Sequence, residues 1–142
     1  MSVLFEEMND HNYYSTFLSV AEDSRALTGV VPEAKAGKDT VASLQYKLIS
    51  KAPYELTQED VLFKVYALRN NIADNDLKKE REKFFSKRQP CLRTSPLGKA
   101  YGWGIHFRRD GKIALYAVDS GEYRQYSRDK SLKQIKAMRS GK

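Results

Sequence analysis

Two short runs of strand-forming residues joined by a tight turn constrain the fold of this chain more than any other feature. The runs cover residues 101–107 and 112–118, and the turn between them ends in Asp110-Gly111. Asp-Gly between two such runs is a strong hairpin signal, because glycine tolerates the positive φ that hairpin turns need. The second half of the chain is therefore predicted to contain an antiparallel β-hairpin.

Alternation along the first arm of this hairpin assigns its two faces. Trp103, Ile105 and Phe107 share one face, whereas Gly102 and Gly104 lie on the other. We expect Trp103 to be largely buried beside its two apolar neighbours, with its indole N–H bonded to an acceptor. The glycines leave room for another segment, either the preceding loop or a helix, to approach the hairpin.

The remaining chain is mostly helical in pattern. A strand-like run precedes a long segment at 22–38 that contains glycine and proline and is predicted to be a surface loop. Helices that are separated in sequence from the hairpin favour an α+β fold over a doubly wound parallel sheet. We predict one α+β domain over residues 1–142, in which an antiparallel sheet packs against about four helices. The expected strands cover 13–20, 101–107 and 112–118, and the expected helices cover 39–52, 58–71, 77–88 and 130–138.

Positive charge is concentrated in two segments. The chain of 142 residues carries a net charge of +7. Residues 76–93 hold seven basic and three acidic side chains, and residues 122–142 hold seven basic and two acidic ones. A localised basic surface favours a polyanionic partner, so the leading hypothesis is a binding module for nucleic acid or another polyanion. The predicted binding residues are Arg93, Lys99, Tyr101, Arg108, Arg109, Lys133, Lys136 and Arg139.

Scarce residue types cluster in residues 89–107, which suggests an alternative. This stretch holds the only Cys, the only Trp, two of the four Pro and one of the two His. A guanidinium at Arg93 would favour the thiolate of Cys91, and His106 could serve as its base. The alternative is therefore an enzyme or small-ligand-binding protein with a site around Cys91, Arg93 and His106. Against it stands the common role of a free cysteine as a small buried apolar residue.

Several classes of function find no support in the sequence. The chain contains no phosphate-binding loop, dinucleotide-binding glycine pattern or zinc-protease motif, and one cysteine excludes an internal disulfide. We expect no cofactor and no metal site. Without a secretory leader or a membrane-spanning run, a cytoplasmic protein with no membrane partner is expected. A protein-interaction subunit is a third hypothesis, and the oligomeric state stays open.

Residues 89–106 also carry a family resemblance. The blocks QPCLRTSPLGK and YGWGIH, together with EDVLF, FFSK and KAMRS elsewhere in the chain, resemble an uncharacterised family of short bacterial proteins known as a domain of unknown function. The resemblance extends over residues 13–140. It implies a single-domain bacterial protein and places any site within residues 89–106, but it implies no activity, cofactor or partner.

Overall fold

The computed structural model describes residues 11–140 and confirms the α+β class. Within these residues the chain forms four strands and five α-helices, with short 3-10 turns at Asp74–Asp76 and Leu92–Thr94. The strands are β1 (Thr16–Ser19), β2 (Trp103–Phe107), β3 (Ile113–Ala117) and β4 (Lys133–Lys136). The helices are α1 (Val41–Lys51), α2 (Gln58–Arg69), α3 (Leu77–Phe85), α4 (Pro96–Lys99) and α5 (Gly121–Ser127).

The four strands form one sheet in the order β3-β2-β1-β4. The predicted hairpin is present as β2 and β3, with Ile105 opposite Leu115, and β1 pairs antiparallel with β2. The fourth strand runs parallel to β1, with Leu18 opposite Ile135. The sheet is therefore mixed, and only its first three strands match the antiparallel arrangement that the sequence predicted.

The prediction of a helix over residues 130–138 is wrong. This segment contains β4, which completes the open edge of β1 through hydrogen bonds from the amides of Lys133 and Ala137 to β1 and its flanking residue. The three-residue spacing of Leu132, Ile135 and Met138 suggested a helix. The buried residues are instead Ile135 and Ala137, two apart, as expected for a strand.

The last helix lies earlier in the chain, where the sequence analysis assigned no element. Helix α5 begins after Ser120, whose side chain accepts a hydrogen bond from the amide of Tyr123. The first two helices each begin at a threonine cap. Thr40 caps α1, and Thr57 and Asp60 form the reciprocal capping box of α2.

The sheet has two chemically different sides. Its helical side, formed by Leu18, Ile105, Phe107 and Ile113, packs into the main apolar core with residues of α1, α2 and α4. Its tyrosine side carries alternate residues, including Phe17, Gly104, His106 and Tyr116, and is covered by aromatic rings of α5. This division positions every candidate site described below.

The 22–38 segment is irregular, as predicted, and packs along the hairpin. The indole nitrogen of Trp103 donates to the carbonyl oxygen of Val30 at 2.8 Å, so the predicted acceptor exists. The Trp103 ring packs against the core but remains half-buried. Gly102 has a φ of +79°, and an added Cβ there would lie 2.1 Å from the Thr28 oxygen, so the 22–38 segment approaches this glycine. At Gly104 the close neighbour is Tyr123 of α5.

Candidate functional site

The segment over residues 89–95, called here the signature loop, is held in place by buried amide side chains. Gln58 at the start of α2 is 1% exposed. Its Oε1 accepts a hydrogen bond from the backbone amide of Leu92 at 2.8 Å, and its Nε2 donates to the carbonyl of His11. Gln89 donates to the Phe84 carbonyl at 2.6 Å. These bonds fix the loop against α2 and α3 without regular secondary structure.

A cleft of about 560 Å³ opens between the signature loop and helices α1, α2 and α3. Its volume lies within the range of small-molecule sites. We call it the Cys91 cleft. Its walls are formed by Val41, Gln45, Leu62, Val65, Tyr66, Arg69, Asn70, Phe84, Gln89, Pro90, Cys91 and Thr94.

The polar residues that line the Cys91 cleft include amide and hydroxyl side chains and one cation, but no carboxylate. Arg69 is the only charged residue among those that line it. Gln45 is 5% exposed, and its Oε1 accepts a hydrogen bond from the Ser95 hydroxyl at 2.5 Å. Its amide nitrogen bonds to no residue within 11–140, and it is accessible to solvent because every buried side-chain nitrogen and oxygen in this range has a hydrogen-bond partner. The Gln45 amide therefore presents a solvent-accessible donor to a molecule in the cleft.

Cys91 is half-buried in the wall of this cleft. The Tyr13 hydroxyl donates to its Sγ at 3.4 Å. Burial, reinforced by the bond to Cys91, raises the pKa of Tyr13 to about 12, so the hydroxyl keeps its proton at neutral pH. Behind Cys91 lies a smaller polar recess of about 140 Å³, whose walls include His11 and Gln58.

The structure does not bring Cys91 and His106 together. His106 is 8% exposed and lies on the tyrosine side of the sheet. Its Nδ1 lies 2.8 Å from the Tyr54 hydroxyl, and its ring stacks on Tyr126 at 4.2 Å between centroids. Cys91 contacts groups on the helical side, among them Tyr13, which packs against Phe107. The strands separate the two side chains that the sequence analysis paired as nucleophile and base.

The surroundings of His106 form a hydrogen-bonded aromatic network. The Tyr54 hydroxyl also lies 2.8 Å from that of Tyr116, and Tyr54 adopts a φ of +60° to reach this position. Burial lowers the pKa of His106, an effect that nearby Arg108 reinforces and Asp129 opposes. Burial likewise raises the pKa of Tyr54 and of Tyr116. The network is therefore neutral near pH 7, which suits a structural cluster better than an acid–base site.

Part of the predicted polyanion-binding set lies near β4. Arg93 Nε donates to the Lys136 carbonyl at 2.9 Å, and the amide of Met138 donates to the Arg93 carbonyl at 2.8 Å. Lys136 is exposed, and Arg139 lies 3.5 Å from a carboxylate oxygen of Glu22. Lys99 is half-buried at the end of α4. This helix lies close to the end of β4, because a Cβ added to Gly98 would lie 2.8 Å from the Cβ of Ala137.

The other predicted binding residues lie elsewhere. Arg108 and Arg109 are exposed beyond the opposite end of β2, and Arg108 pairs with Asp110 at 2.6 Å. Lys133 is exposed at the start of β4 and lies opposite Thr16 of β1. Thr16 also pairs with Phe107, the residue before Arg108. Tyr101 is half-buried, and its carbonyl accepts a hydrogen bond from the Val30 amide.

The sequence analysis missed the residues that build the cleft, namely Gln45, Gln58, Tyr13 and Arg69. A signal was present for Gln45, because it lies four positions after Val41 and four before Ile49, in line with two apolar residues of the same helix. A polar residue on the buried face of a helix is more informative than another leucine there. For Gln58, Tyr13 and Arg69 the deciding contacts come from segments distant in the chain.

The fold and the cleft define a class: α+β proteins with a mixed four-stranded sheet and a cleft between its helices and an irregular loop. The chain belongs to the Family of unknown function (DUF6157), which it matches over residues 8–142. The resemblance of the chain to a family of unknown function is thus confirmed. No curated protein and no solved structure matches the chain.

Residues 11–140 contain neither a membrane-spanning helix nor a candidate metal site. No helix in this range has the length and apolar character required to cross a membrane. In the same range, no group of three or more His, Cys, Asp or Glu side chains is arranged to hold a metal ion.

Proposed function

We propose that this protein binds a small organic ligand in the Cys91 cleft, one with an apolar body and a carboxylate or carbonyl head. The observation that carries the proposal is the chemistry of the cleft walls. The walls combine apolar side chains with polar ones, and the only charged side chain among them is the guanidinium of Arg69. The Gln45 amide adds a solvent-accessible N–H donor that bonds to no residue within 11–140. Apolar walls with a few oriented polar groups are typical of small-molecule sites.

The two parts of the ligand would meet different walls. An apolar body would pack against Leu62, Val65 and Phe84, since burying apolar surface is the main source of affinity in such clefts. A carboxylate or carbonyl head would accept hydrogen bonds from Gln45 or Arg69. Cys91 then acts as a wall residue whose thiol reports on occupancy, and the proposal assigns it no covalent step.

The first experiment measures binding of octanoate and 4-phenylbutyrate, each beside its primary alcohol, by ligand-observed NMR and calorimetry. The carboxylates should bind at least about tenfold more tightly than the alcohols, a difference of about 1.4 kcal/mol. The Gln45→Glu variant keeps an acceptor for Ser95 but replaces the free donor with an oxygen, so it should reduce carboxylate affinity. Arg69→Gln should reduce it as well.

The matched control is Arg124→Gln, which removes an exposed cation on α5 outside the cleft. It should leave affinity unchanged. Equal affinity for each acid and its alcohol, or equal loss in all three variants, would contradict the proposal.

A second measurement uses the only cysteine of the chain as a reporter. Because Cys91 lines the cleft, a bound carboxylate should slow its reaction with iodoacetamide, and the carbamidomethylated protein should bind the carboxylate more weakly. A labelling rate that does not depend on ligand, measured at concentrations that saturate binding, would place the ligand elsewhere.

A second candidate function is polyanion binding, and one specific observation favours it. The contact of Arg93 with the Lys136 carbonyl joins the two basic segments of the sequence, 76–93 and 122–142. Lys87 and Arg88 precede this contact point and are exposed, as is Lys136 itself. A basic surface drawn from two distant segments would bind phosphates without regard to sequence.

The test is the salt dependence of binding to a fluorescent single strand and to a duplex. The logarithm of affinity should fall linearly with the logarithm of salt, at about −0.9 per phosphate contact on duplex DNA. Reversing the charges of Lys133, Lys136 and Arg139 should abolish binding at about 50 mM salt, where the Debye length is still longer than under physiological conditions. The control reverses Lys47, Lys51 and Lys64, which keeps the same net charge. Equal losses in both triple variants would show that net charge alone is responsible.

A further inference from the structure

A second concave surface lies on the side of α2 that faces away from the Cys91 cleft. Helix α2 presents Leu62, Val65 and Tyr66 to the cleft, but Phe63, Ala67 and Leu68 line this other surface. Residues two apart in an α-helix are rotated by about 200°, so Phe63 and Ala67, each two positions from Val65, point to the opposite side of α2 and the two surfaces are independent.

This second surface consists of two adjoining hollows of about 560 and 390 Å³, which share Leu48, Lys64 and Leu68. We call it the lysine-rimmed groove. Leucine and isoleucine side chains dominate its apolar part, and Leu68 is 55% exposed. These apolar residues are Leu44, Leu48, Leu56, Leu68, Ile72 and Leu77.

The charges around the groove are almost all positive. Five cations line it, Lys47, Lys51, Lys64, Lys78 and Arg81, against one carboxylate, Asp74. Lys47 is paired with Asp39 at 2.8 Å and Arg81 with Asp60 at 2.9 Å. Within residues 11–140, Lys51, Lys64 and Lys78 form no salt bridge, and all three are exposed. Unpaired cations beside the exposed Leu68 and several partly buried leucines leave a surface that is both apolar and positively charged.

We propose that the lysine-rimmed groove docks an acidic amphipathic helix of a partner protein. An apolar groove between helices accepts the apolar stripe of another helix, with anchors spaced at i, i+3 or i+4, and i+7. The rim then selects the charge of that helix, because acidic residues flanking its stripe would meet Lys51, Lys64 and Lys78. The groove runs along α1, which is about 16 Å long, so three turns of a partner helix would fill it.

The concave shape of the lysine-rimmed groove favours a helix over a lipid bilayer as its binding partner. Helices that bind membranes lay a protruding apolar face into the bilayer interface. Here the apolar residues lie in a hollow between α1, α2 and α3, with lysines at its edge. A convex helix fits such a hollow, whereas a flat bilayer would contact the rim first.

The experiment uses a designed helical peptide of about fourteen residues, with leucines at i, i+3 or i+4, and i+7 and glutamates on both flanks. A second peptide carries lysine in place of each glutamate. By fluorescence anisotropy the acidic peptide should bind at least about tenfold more tightly than the basic one, and its affinity should fall with salt. Equal affinity for the two peptides, or none for either, would overturn the proposal.

Two matched variants test whether the peptide binds in the lysine-rimmed groove. Leu68→Glu introduces a carboxylate at an exposed position in the groove and should weaken the acidic peptide at least about tenfold. Leu27→Glu makes the same change at a position that is 85% exposed and outside the groove, and it should have no effect. Both positions are exposed enough that the fold is retained. Equal effects of the two variants, or binding of the wild type to phosphatidylglycerol vesicles with no peptide binding, would also overturn it.

Discussion

The residues on the two sides of the sheet are buried by different kinds of interaction. The helical side is filled with aliphatic and phenyl groups such as Leu18, Ile105 and Phe107, which pack without directional requirements. The tyrosine side is filled with rings that carry hydroxyl or imidazole groups, and these groups are within hydrogen-bond distance of one another. One side therefore depends on volume, and the other depends on volume together with the geometry of its polar atoms.

This difference bears on where an open cleft occurs. On the tyrosine side the polar groups around His106 bond to each other. On the helical side the signature loop and three helices leave the Cys91 cleft, whose Gln45 amide nitrogen is accessible to solvent. In this molecule the proposed binding cleft therefore lies where packing is incomplete rather than where polar groups are most numerous.

The largest effect is expected from Phe107→Ala on the helical side. Phe107 is fully buried, so the substitution should lower the free energy of unfolding by about 3–5 kcal/mol. Urea denaturation at equilibrium measures this loss. Phe84→Ala is the matched control, because Phe84 is half-buried at the cleft and should cost less. Equal losses at the two positions would contradict the assignment of Phe107 to the core.

A smaller loss is expected from Tyr54→Phe on the tyrosine side. The change removes one oxygen and leaves His106 Nδ1 and the Tyr116 hydroxyl without their shared partner, at a cost of about 1–3 kcal/mol. Tyr46→Phe is the control. The Tyr46 ring packs against Trp103, and its hydroxyl bonds to no residue within 11–140, so its loss should be within about 0.5 kcal/mol of zero. Indistinguishable melting curves for the two variants would show that the network adds nothing to packing.

Local signals made much of the fold predictable. The Asp110-Gly111 turn and the alternation along β2 each act within a few residues, and the hairpin that they predict is present. The burial that the alternation predicts for Trp103 is reached only in part, because its ring remains half-buried. Residues 130–138 include a strand rather than a helix because they pair with the free edge of β1, which lies more than 100 positions earlier in the chain. No local pattern reports that edge, and a three-residue apolar spacing therefore suggested a helix instead.

The sequence led to one residue of the candidate site but not to the others. The concentration of scarce residues drew attention to Cys91, and the structure places Cys91 in the wall of a cleft. The partner chosen for it, His106, lies on the other side of the sheet because odd and even residues of β2 point in opposite directions. Gln45 was overlooked because its role depends on Ser95, fifty positions away in the chain.

The tyrosine side should also make stability depend on pH. Burial lowers the pKa of His106 below 6.5, so the folded protein favours the neutral ring more strongly than the unfolded chain does. Stability is then complete above pH 6.5 and is lost as pH falls through the folded-state pKa. Urea denaturation between pH 5 and 8 measures this loss, and His106→Gln should reduce the slope. The control is His11→Gln, since the chain has only two histidines. An unchanged slope in His106→Gln would assign the dependence to other groups.

The smallest effect concerns Trp103, which lies at the border between the helical side and the 22–38 segment. Trp103→Phe removes the hydrogen bond from the indole to the Val30 carbonyl. Since Val30 is 49% exposed, water can replace this bond, and the free energy of unfolding should fall by only about 1 kcal/mol.

The effect on the local opening of the 22–38 segment should be larger than the effect on global unfolding, because the indole holds this segment against β2. Trypsin should therefore cleave at Arg25, Lys35 or Lys38 several-fold faster than in the wild type, at a temperature where both proteins are folded. Leu27→Ala, a change at an exposed position in the same segment, should leave the cleavage rate unchanged. If Trp103→Phe also left it unchanged, the segment would be held by its backbone contacts with Tyr101 and Gly102 rather than by the indole.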